Sequence, residues 1–365
     1  MRRFLLYQLF LWVGMARAED ISVTLKNPPA EGTVAFVLFN SPNTFGDLRD
    51  PFKVVRYPLE GQSSFNISDV APGEYALMVY FDANGNDRID RNFIGIPKEP
   101  LGFSNNYEPK GPPSYARAVF MLEEGGAKNF EVRLRKPLGD LGRLGVGVGV
   151  IGRSSPYRDD NGGVYQFIPA LTYNGNRLQV FGPRAQVGLV GSGDVRLALT
   201  GQYRIGVYEE NDSPFLEGLG DRENTFLAGL ALQVEVPGGF DFSANYEHDV
   251  LDEIGGGVAG LSLKKSFQQS LLKFSPNLGV NWTDGDLANH DFGVPGRLAR
   301  VGRPAYSVGD VISFEAGMGL FIDMGEDWLI VLNGAGEWLD SDVQDSPIVA
   351  DDVVFSGFGA INYVF

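Results

Sequence analysis

The sequence predicts an all-β protein in two parts, a β-sandwich followed by an antiparallel transmembrane β-barrel of 12 strands, or of 10. Short strand-like runs separated by turns fill residues 20–136, and this spacing is typical of a β-sandwich. From Leu141 onwards the runs are longer, and apolar residues alternate with polar ones. The chain has 48 glycines among 365 residues and is 44% hydrophobic, which suits strands with one lipid-facing and one polar face.

The first expected element is a signal peptide at residues 1–18. Arg2 and Arg3 form a short basic region, and residues 4–15 form an apolar run too short to span a bilayer as a helix. Ala16-Arg17-Ala18 then supplies an A-x-A cleavage site, so that we expect an exported mature chain beginning at Glu19. A retained membrane anchor is the alternative interpretation of the same run.

The second expected element is a periplasmic β-sandwich domain at residues 19–136. Each candidate strand is bounded by residues that favour turns. The candidate strands are residues 21–25, 32–39, 53–58, 63–67, 73–81, 116–122 and 128–136.

A linker is expected at residues 137–143, because Pro137, Gly139 and Gly142 interrupt the strand pattern there. The barrel follows at residues 144–365. Strands of ten residues at roughly 3.3 Å each, tilted by about 40°, cover roughly 25 Å of the membrane. Trp328 and Trp338 share one face of such a strand, which predicts one tryptophan in each interfacial belt; two core tryptophans are the alternative.

The connections between the barrel segments alternate in length. Short turns are expected at residues 237–239, 268–271 and 325–327, and long loops at 209–223, 249–257, 284–309 and 340–352. Eleven strands can be written, whereas bacterial barrels have even counts. The ambiguous stretch is 176–193, where Gly182-Pro183 breaks the alternation, and we favour twelve strands over ten.

The last residues of the chain form an apolar stripe. Ile361, Tyr363 and Phe365 are two apart and therefore share one face of a strand. A strand that ends on an aromatic residue in this way resembles the C-terminal membrane-insertion signal of bacterial outer-membrane barrels. That resemblance implies recognition by the barrel assembly machinery and a location in the cell outer membrane.

Charge and cysteine content exclude several functions. The net charge of −16 does not favour nucleic acid as a partner, and the absence of cysteine excludes thiolate-bound haem, iron–sulfur clusters and zinc. Residues 137–365 carry 30 acids against 14 bases, and 17 of these acids fall in the four long loops. These loops are expected to form a solvated rim, or a surface that holds divalent cations beside lipopolysaccharide and the outer-membrane lipids.

One segment has the spacing of a calcium loop. Asp82, Asn84, Asn86 and Asp90 place oxygen ligands at intervals that suit a hard cation. The segment departs from the EF-hand pattern, because Asp87 replaces the turn glycine and Phe93 the final glutamate. A tight Asn-Gly turn with side-chain caps is the alternative. Calcium apart, no cofactor is expected.

Three arginines at regular spacing mark the long loop 284–309. Arg297, Arg300 and Arg303 would share one face if that loop formed a helical turn. They are then candidates to contact phosphate or carboxylate groups of surface glycans. Three solvated loop charges are the alternative.

The chain offers little for catalysis. His248 ends an alternating strand and His290 lies in a long loop, and no Gly-x-Ser-x-Gly motif or zinc-spaced histidine pair is present in the sequence. A serine–histidine dyad like those of outer-membrane lipases is the one enzymatic alternative. We therefore expect no enzyme and no catalytic residue.

The barrel half resembles the MipA/OmpV family of outer-membrane proteins, over residues 141–365. Five pieces occur in order, and the resemblance implies a barrel, with a proposed scaffold role for some members between a lytic transglycosylase and a peptidoglycan synthase, and adhesion for others. The pieces are Asp159-Asp160 with Tyr165-Gln166-Phe167-Ile168-Pro169, Glu217-Gly218-Leu219-Gly220-Asp221, Trp282-Thr283-Asp284 with Phe292-Gly293-Val294, Pro304-Ala305-Tyr306, and Asp345-Ser346-Pro347-Ile348-Val349.

The N-terminal half, residues 20–136, resembles a family of exported transthyretin-like domains of unknown function. Its fusion to a barrel departs from what that family suggests. The resemblance lies in Gly73-Glu74-Tyr75-Ala76-Leu77, in the segment from Asp82 to Asp90, in Phe93-Ile94-Gly95-Ile96-Pro97, and in Gly102-Phe103-Ser104-Asn105-Asn106.

Together these observations predict a structural or scaffolding protein of the cell envelope. The barrel would anchor the sandwich, and the sandwich would dock peptidoglycan-remodelling enzymes. A small pore or a surface adhesin is the alternative, and an outer-membrane enzyme is less favoured. Polar residues predicted to face the barrel interior would line water in a pore, or pair with one another in a filled barrel; they are Arg196, Gln202, Arg204, Asp241, Asn245 and Glu247.

Overall fold

The computed structural model describes residues 19–160, 162–191, 194–325 and 327–365. The expected signal peptide at residues 1–18 lies outside the described residues. Across the described ranges, no helix is both long and apolar enough to cross a membrane.

The N-terminal part consists of two sheets. The first, here called the distal sheet, has the order β4-β1-β8, with β1 antiparallel to β4 and parallel to β8. The second, the proximal sheet, has the order β3-β2-β5-β6, and β7 also pairs with β5. The strands are β1 Glu19–Leu25, β2 Thr33–Phe39, β3 Lys53–Pro58, β4 Ser64–Val70, β5 Gly73–Asp82, β6 Leu101–Phe103, β7 Val119–Leu122 and β8 Lys128–Val132.

Alternating apolar residues explain how the two sheets pack. In β1, Ile21, Val23 and Leu25 are buried, whereas the residues between them face solvent. They meet Phe36 and Leu77 of the proximal sheet in one core. The other face of the proximal sheet is covered by two short helices, α1 (Pro42–Asp47) and α2 (Tyr115–Ala118), which form a second core. The sandwich thus has a bare side, the outer face of the distal sheet, and a covered side that carries the helices.

The C-terminal part is a closed antiparallel barrel of twelve strands. β9 pairs with β21, and β16 pairs with β18, so that the sheet has no open end. The pieces β16 and β17 are separated only by Ser266 and form one strand of the wall. The bounds are β9 Arg143–Arg153, β10 Val164–Asn174, β11 Leu178–Phe181, β12 Arg184–Val190, β13 Val195–Arg204, β14 Thr225–Val236, β15 Phe240–Asp249, β16 Gly257–Lys265, β17 Phe267–Gln269, β18 Leu272–Thr283, β19 Val311–Gly325, β20 Trp328–Trp338 and β21 Val353–Val364.

The count of twelve confirms the favoured strand number and rests on the ambiguous stretch 176–193. That stretch forms a short hairpin, β11 and β12, whose tip is Gly182-Pro183. Gly182 has φ of +55°, a conformation that favours glycine. The interruption of the sequence pattern is therefore a turn and not an irregularity within a strand.

The outer surface of the barrel is apolar with aromatic residues at both ends of the strands. Trp328 and Trp338 both face outwards, at opposite ends of β20. The C-terminal stripe also faces outwards: Tyr363 packs edge-on against Trp328, with 5.3 Å between ring centroids, and Phe365 lies beside Tyr363 at 5.0 Å. Its role as an insertion signal stays a prediction.

We call the end of the barrel with the short turns the lower mouth, and the end with the long loops the upper mouth. The upper loops carry two further helices, α3 (Gly285–Phe292) and α4 (Ser341–Gln344). Apolar side chains of these loops form a core of their own, which closes the upper mouth. Its buried members are Tyr157, Tyr208, Leu216, Leu219, Ala288, Phe292, Val294, Val308, Val311, Leu339, Val343, Ile348, Val349 and Val354.

Candidate functional site, the lower mouth of the barrel

The covered side of the sandwich docks on the lower mouth through ion pairs. Arg49, which follows α1, places its guanidinium 2.9 Å from Glu235 and 2.8 Å from Asp241, on the hairpin between β14 and β15. In a further pair the barrel supplies the cation and the sandwich the carboxylate: Lys273 of β18 lies 2.6 Å from Asp47 at the end of α1. These side chains are largely shielded from water, so the pairs are screened less than surface ion pairs.

A second group of contacts fixes the other side of the mouth. The Tyr107 hydroxyl donates to the Asp323 carboxylate at 3.1 Å, and Arg117 lies 3.6 Å from the same group. Lys110 lies 3.1 Å from Asp327 in the turn between β19 and β20. Burial, followed by the nearby Asp323, raises the pKa of Tyr107, which therefore stays a hydrogen-bond donor throughout the physiological range.

Gln268 of β17 joins two segments of the sandwich, residues 113–115 and the start of α1, to the barrel. Its side-chain oxygen accepts from the Tyr115 amide at 2.9 Å, and its side-chain nitrogen donates to the Pro113 carbonyl at 2.6 Å. Its own main-chain amide donates to the Asn43 side chain at 2.8 Å. Both functions of one buried amide are thus satisfied by the sandwich, which gives the docking a defined orientation.

The segment from Arg91 to Pro97 enters the mouth itself. Asn92 is fully buried and donates to the Gly175 carbonyl at 3.1 Å, in the turn between β10 and β11. Phe93 packs on the inner wall of β12, where a β-carbon on Gly188 would lie 2.6 Å from its ring. The segment holds its own shape, since Asn92 also accepts from the amides of Ile94 and Ile96.

Polar side chains predicted to face the interior do so, and most are paired. Asn245 also faces inwards, between Ala231 and Gly260 of the neighbouring strands. Of the two interpretations of this set, a filled interior describes it better than a row of water-lining groups. The pairs are Arg196 with Glu235, Arg204 with Asp291, Gln202 with Arg184, Asp241 with Arg49, and Glu247 with Thr200.

The segment singled out as a calcium loop forms a capped turn. The Asp82 carboxylate is buried and accepts from the amides of Gly85 at 2.8 Å and Asp87 at 2.9 Å. The side-chain amides of Asn84 and Asn86 donate to the two carboxylate oxygens of Asp90, at 2.7 and 3.0 Å. No group of three or more histidine, cysteine, aspartate or glutamate side chains within the described ranges is arranged to hold a metal ion. Calcium binding stays a prediction.

Glu99 lies beneath this turn and is 5% exposed. It accepts from the Asp90 amide at 3.2 Å. Burial, together with the nearby carboxylates of Asp82 and Asp90, raises the pKa of Glu99 to about 7.

The three arginines of the long loop do not lie on one face of a helical turn. The main chains of Arg300 and Arg303 bond to each other in a tight turn. Arg303 is buried and donates to the carbonyls of Phe215, Glu217 and Leu298, so that it holds two upper loops together. Arg297 is exposed, and Arg300 pairs with Glu217 at 3.7 Å. Glycan contact therefore stays a prediction for Arg297 and Arg300.

The two histidines lie apart, His248 on the rim and His290 on α3. His248 lies 3.3 Å from the Tyr246 hydroxyl, and His290 lies 3.1 Å from the Asp291 carboxylate. Neither ring is hydrogen-bonded to a serine within the described part of the chain.

The fold and the docked mouth define a transmembrane β-barrel with a β-sandwich held against one end. The chain belongs to the family of the MltA-interacting protein MipA, whose model matches residues 146–365. Residues 23–130 match a second family, described as an uncharacterized protein conserved in bacteria (DUF2141).

Curated relatives agree with this family. Outer membrane protein OmpV of Vibrio cholerae is 28% identical over 142 residues, which are 39% of this chain and 55% of OmpV, so that the match spans about half of that relative. The putative outer membrane protein YiaT of Escherichia coli K12 is 25% identical over 61% of this chain and 91% of YiaT. The MltA-interacting protein of Escherichia coli K12 is 26% identical over 56% of this chain and 83% of that protein.

These relatives place the chain in the outer membrane. The short turns of such barrels face the periplasm, which puts the lower mouth and the sandwich on that side. Among solved structures, OmpT of Vibrio cholerae covers 93% of this chain at 10% identity, and the channel DcaP of Acinetobacter baumannii covers 96% at 10% identity, both with a TM-score of 0.27. Similarity this low carries no argument about function.

Proposed function

We propose that the protein is a closed outer-membrane scaffold, which holds its sandwich at a fixed position below the membrane and docks a peptidoglycan-remodelling enzyme there. The observation that carries the proposal is the docked lower mouth. Ion pairs at Arg49 and Lys273, and the packing of Phe93 against Gly188, hold the sandwich against the barrel in one orientation. A domain fixed in this way is suited to presenting a surface in one orientation.

The surface that remains for a partner is the outer face of the distal sheet. It points away from the barrel, because α1 and α2 cover the opposite side of the sandwich. Its side chains are polar or charged: Thr24 lies 3.2 Å from Ser64, Ser22 lies 3.4 Å from Asn66, and Lys26 pairs with Glu131 at 2.8 Å. Such a face satisfies its own polar groups when it is free and offers main-chain edges at β4 and β8.

The partner class rests on one relative. The Escherichia coli protein that matches 56% of this chain is named for its interaction with MltA. The resemblance of the barrel to the MipA/OmpV family implies the same class of partner, a peptidoglycan-cleaving enzyme.

The proposal is tested by binding of a lytic transglycosylase to the full-length protein in detergent. The double variant Ser22→Arg/Asn66→Arg places two long charges on the distal face and is expected to weaken binding at least tenfold. Gln62→Arg, an exposed change in the loop between β3 and β4, is the matched control and should bind as the unmodified protein does. Equal binding by both variants would remove the distal face from the proposal, and no binding by the unmodified protein would remove the partner.

A further inference from the structure

The wall of the barrel is incomplete at one place. β10 has eleven residues, all of which pair with β9, but only Thr172, Tyr173 and Asn174 pair with β11. The short β11–β12 hairpin therefore leaves residues 164–170 of β10 without a neighbour on that side, within the described part of the chain. We call this gap the lateral window.

The main-chain groups that face the window can be identified. Leu171 accepts from the amide of Gly182 at the hairpin tip, at 3.1 Å, so its carbonyl points towards the hairpin. Because neighbouring residues of a strand alternate in direction, Pro169, Phe167 and Tyr165 present their main-chain groups to the same side. Pro169 has no amide hydrogen to leave unpaired, and proline within a strand is typical of an unpaired edge.

Side-chain exposure shows open space beside the upper half of β10. On the outer face, Tyr165 is 75% and Phe167 is 90% exposed. Gln166 between them faces the interior and is nevertheless exposed, whereas Ala170, also inward-facing but next to the hairpin, is buried. A side chain that points into a barrel and is still exposed has open space beside it.

The borders of the window place it at the height of the outer leaflet. Its floor is Pro183, whose carbonyl accepts from the Tyr203 amide at 3.0 Å at the upper end of β13. Its roof is the contact between two upper loops, where the Ser213 hydroxyl donates to the Arg158 carbonyl. Tyr165 lies one residue from the upper end of β10, and the strand from there down to Pro169 spans roughly 10 Å at about 3.3 Å for each residue, because it is tilted.

Behind the window the interior carries both aromatic and polar side chains. Phe358 of β21 faces inwards and packs against Phe181 of the hairpin, with 5.4 Å between ring centroids. Asn333 of β20 and Ser356 of β21 face inwards and are exposed, like Gln166. Both ends of the barrel are closed, by the docked sandwich below and by the core of the upper loops above. The window adjoins this space from the membrane side, at Gln166.

We propose that the lateral window admits a membrane amphiphile from the outer leaflet, with its polar group in the upper interior and its hydrocarbon chain against Phe167. Hydrocarbon alone cannot satisfy the free main-chain groups of Tyr165 and Phe167, whereas a hydroxyl, amide or phosphate group can. The rim is aromatic and polar side chains, Gln166, Asn333 and Ser356, lie behind it, which matches the two ends of such a molecule. This inference is independent of the scaffold function, since it concerns the opposite half of the barrel.

The absence of cysteine makes a direct test available. Gln166→Cys, labelled with a bimane fluorophore, is compared with Asn245→Cys, an inward-facing amide whose strand is paired on both sides, and with Phe167→Cys on the lipid face. Full-length protein is reconstituted in vesicles that contain doxyl-labelled phosphatidylcholine. Heat-modifiable migration on gels confirms that each variant is folded.

We expect lipid quenching at position 166 to approach that at 167 and to exceed that at 245 at least threefold. Quenching at 166 that falls when lipopolysaccharide is added identifies the glycolipid as the preferred amphiphile, and quenching that persists identifies phospholipid. Protection at 166 equal to that at 245 would overturn the proposal. Quenching at 166 by iodide but not by lipid would also overturn it, because it would show a space filled with water only. A dimer cross-linked through position 167 would overturn it as well, because it would show a second copy of the chain in the window.

Discussion

Phe93 of the sandwich packs directly over Gly188 of the barrel wall. Phe93 belongs to a loop of the sandwich. A β-carbon at position 188 would lie only 2.6 Å from its ring, which is too close for any residue other than glycine without a shift. The barrel wall therefore lacks a side chain where the sandwich supplies one.

Replacement of Gly188 by valine is expected to loosen this docking. The added side chain overlaps the Phe93 ring, and overpacking of this kind typically costs about 1–3 kcal/mol. Limited proteolysis should then cut residues 137–142, which connect the sandwich to β9, faster than in the unmodified protein. Leu189→Val, on the lipid face of the same strand, is the control, and Phe93→Ala combined with Gly188→Val should restore resistance. An unchanged cleavage rate in Gly188→Val would contradict a rigid interface.

Reversal of the charge on Arg49 is expected to open the lower mouth. Arg49→Glu places a third carboxylate beside Glu235 and Asp241, and loss of one partner from a shielded ion pair costs about 3–5 kcal/mol. In planar lipid bilayers the unmodified protein should show no steady channels, whereas Arg49→Glu should show intermittent conductance. Lys26→Glu, which alters an exposed pair far from the barrel, should behave as the unmodified protein. Steady channels from the unmodified protein would support the pore alternative.

Glu99 predicts a pH dependence of sandwich stability. A carboxyl whose pKa is raised to about 7 holds its proton in the folded state after the unfolded chain has released it, so stability is full below the ordinary carboxyl pKa and is lost as the pH rises through 7. Each unit of pKa corresponds to about 1.4 kcal/mol. Glu99→Gln should match the unmodified protein at pH 4 and be more stable by up to about 3 kcal/mol at pH 8, measured by thermal melting of the full-length protein. A difference that does not change with pH would exclude this effect, and Glu131→Gln is the exposed control.

A calcium ion at Asp82, Asn84, Asn86 and Asp90 has a measurable consequence. Calcium at about 100 times its dissociation constant adds about 2.7 kcal/mol to stability, which chelator would remove. Asp82→Ala would abolish the effect. The capped turn in the structure predicts a different pattern, in which Asp82→Ala lowers the melting temperature equally with calcium and with chelator. The two patterns are distinguishable in one set of melting curves.

The insertion signal predicted at the end of β21 is tested through its aromatic residues. Deletion of Phe365, or replacement of Tyr363 by serine, removes the outward stripe that packs on Trp328. We expect lower levels of the protein in the outer membrane and loss of heat-modifiable migration on gels. Asn362→Ser, on the opposite face of the same strand, is the control. Normal outer-membrane levels of both stripe variants would argue against this signal.

Much of the fold was predictable because the pattern of each strand is local. The expected strand at residues 53–58 coincides with β3, and the expected start of β5 at Gly73 is correct. β6 was missed because three residues are too few to show a period, and α1 was missed because its six residues are held by tertiary contacts. Phe45 of that helix packs edge-on against Phe39 and Phe103, which no local pattern reveals.

The docked mouth was not predictable from sequence, because its partners are distant in the chain. Arg49 and Asp241 are 192 residues apart, and nothing near either residue indicates the other. One signal existed: Glu235, Asp241, Asp323 and Asp327 all lie in or next to short turns, so the sequence places four acids at the same end of the barrel. The inward direction of Arg196, Gln202 and Arg204 did follow from alternation, but their pairing required the folded barrel.

The parallel pairing of β1 with β8 sets the order of assembly. The distal sheet is complete only when residues 128–132 have paired with residues 21–25, so its first strand cannot be fully paired until its last strand is present. During N-terminal-first export these residues cross the inner membrane before Arg143, where the barrel begins, and domains fold as units in that order. We therefore expect the sandwich to fold first, and the lower mouth to close around the loop that carries Phe93 as the strands of the barrel assemble.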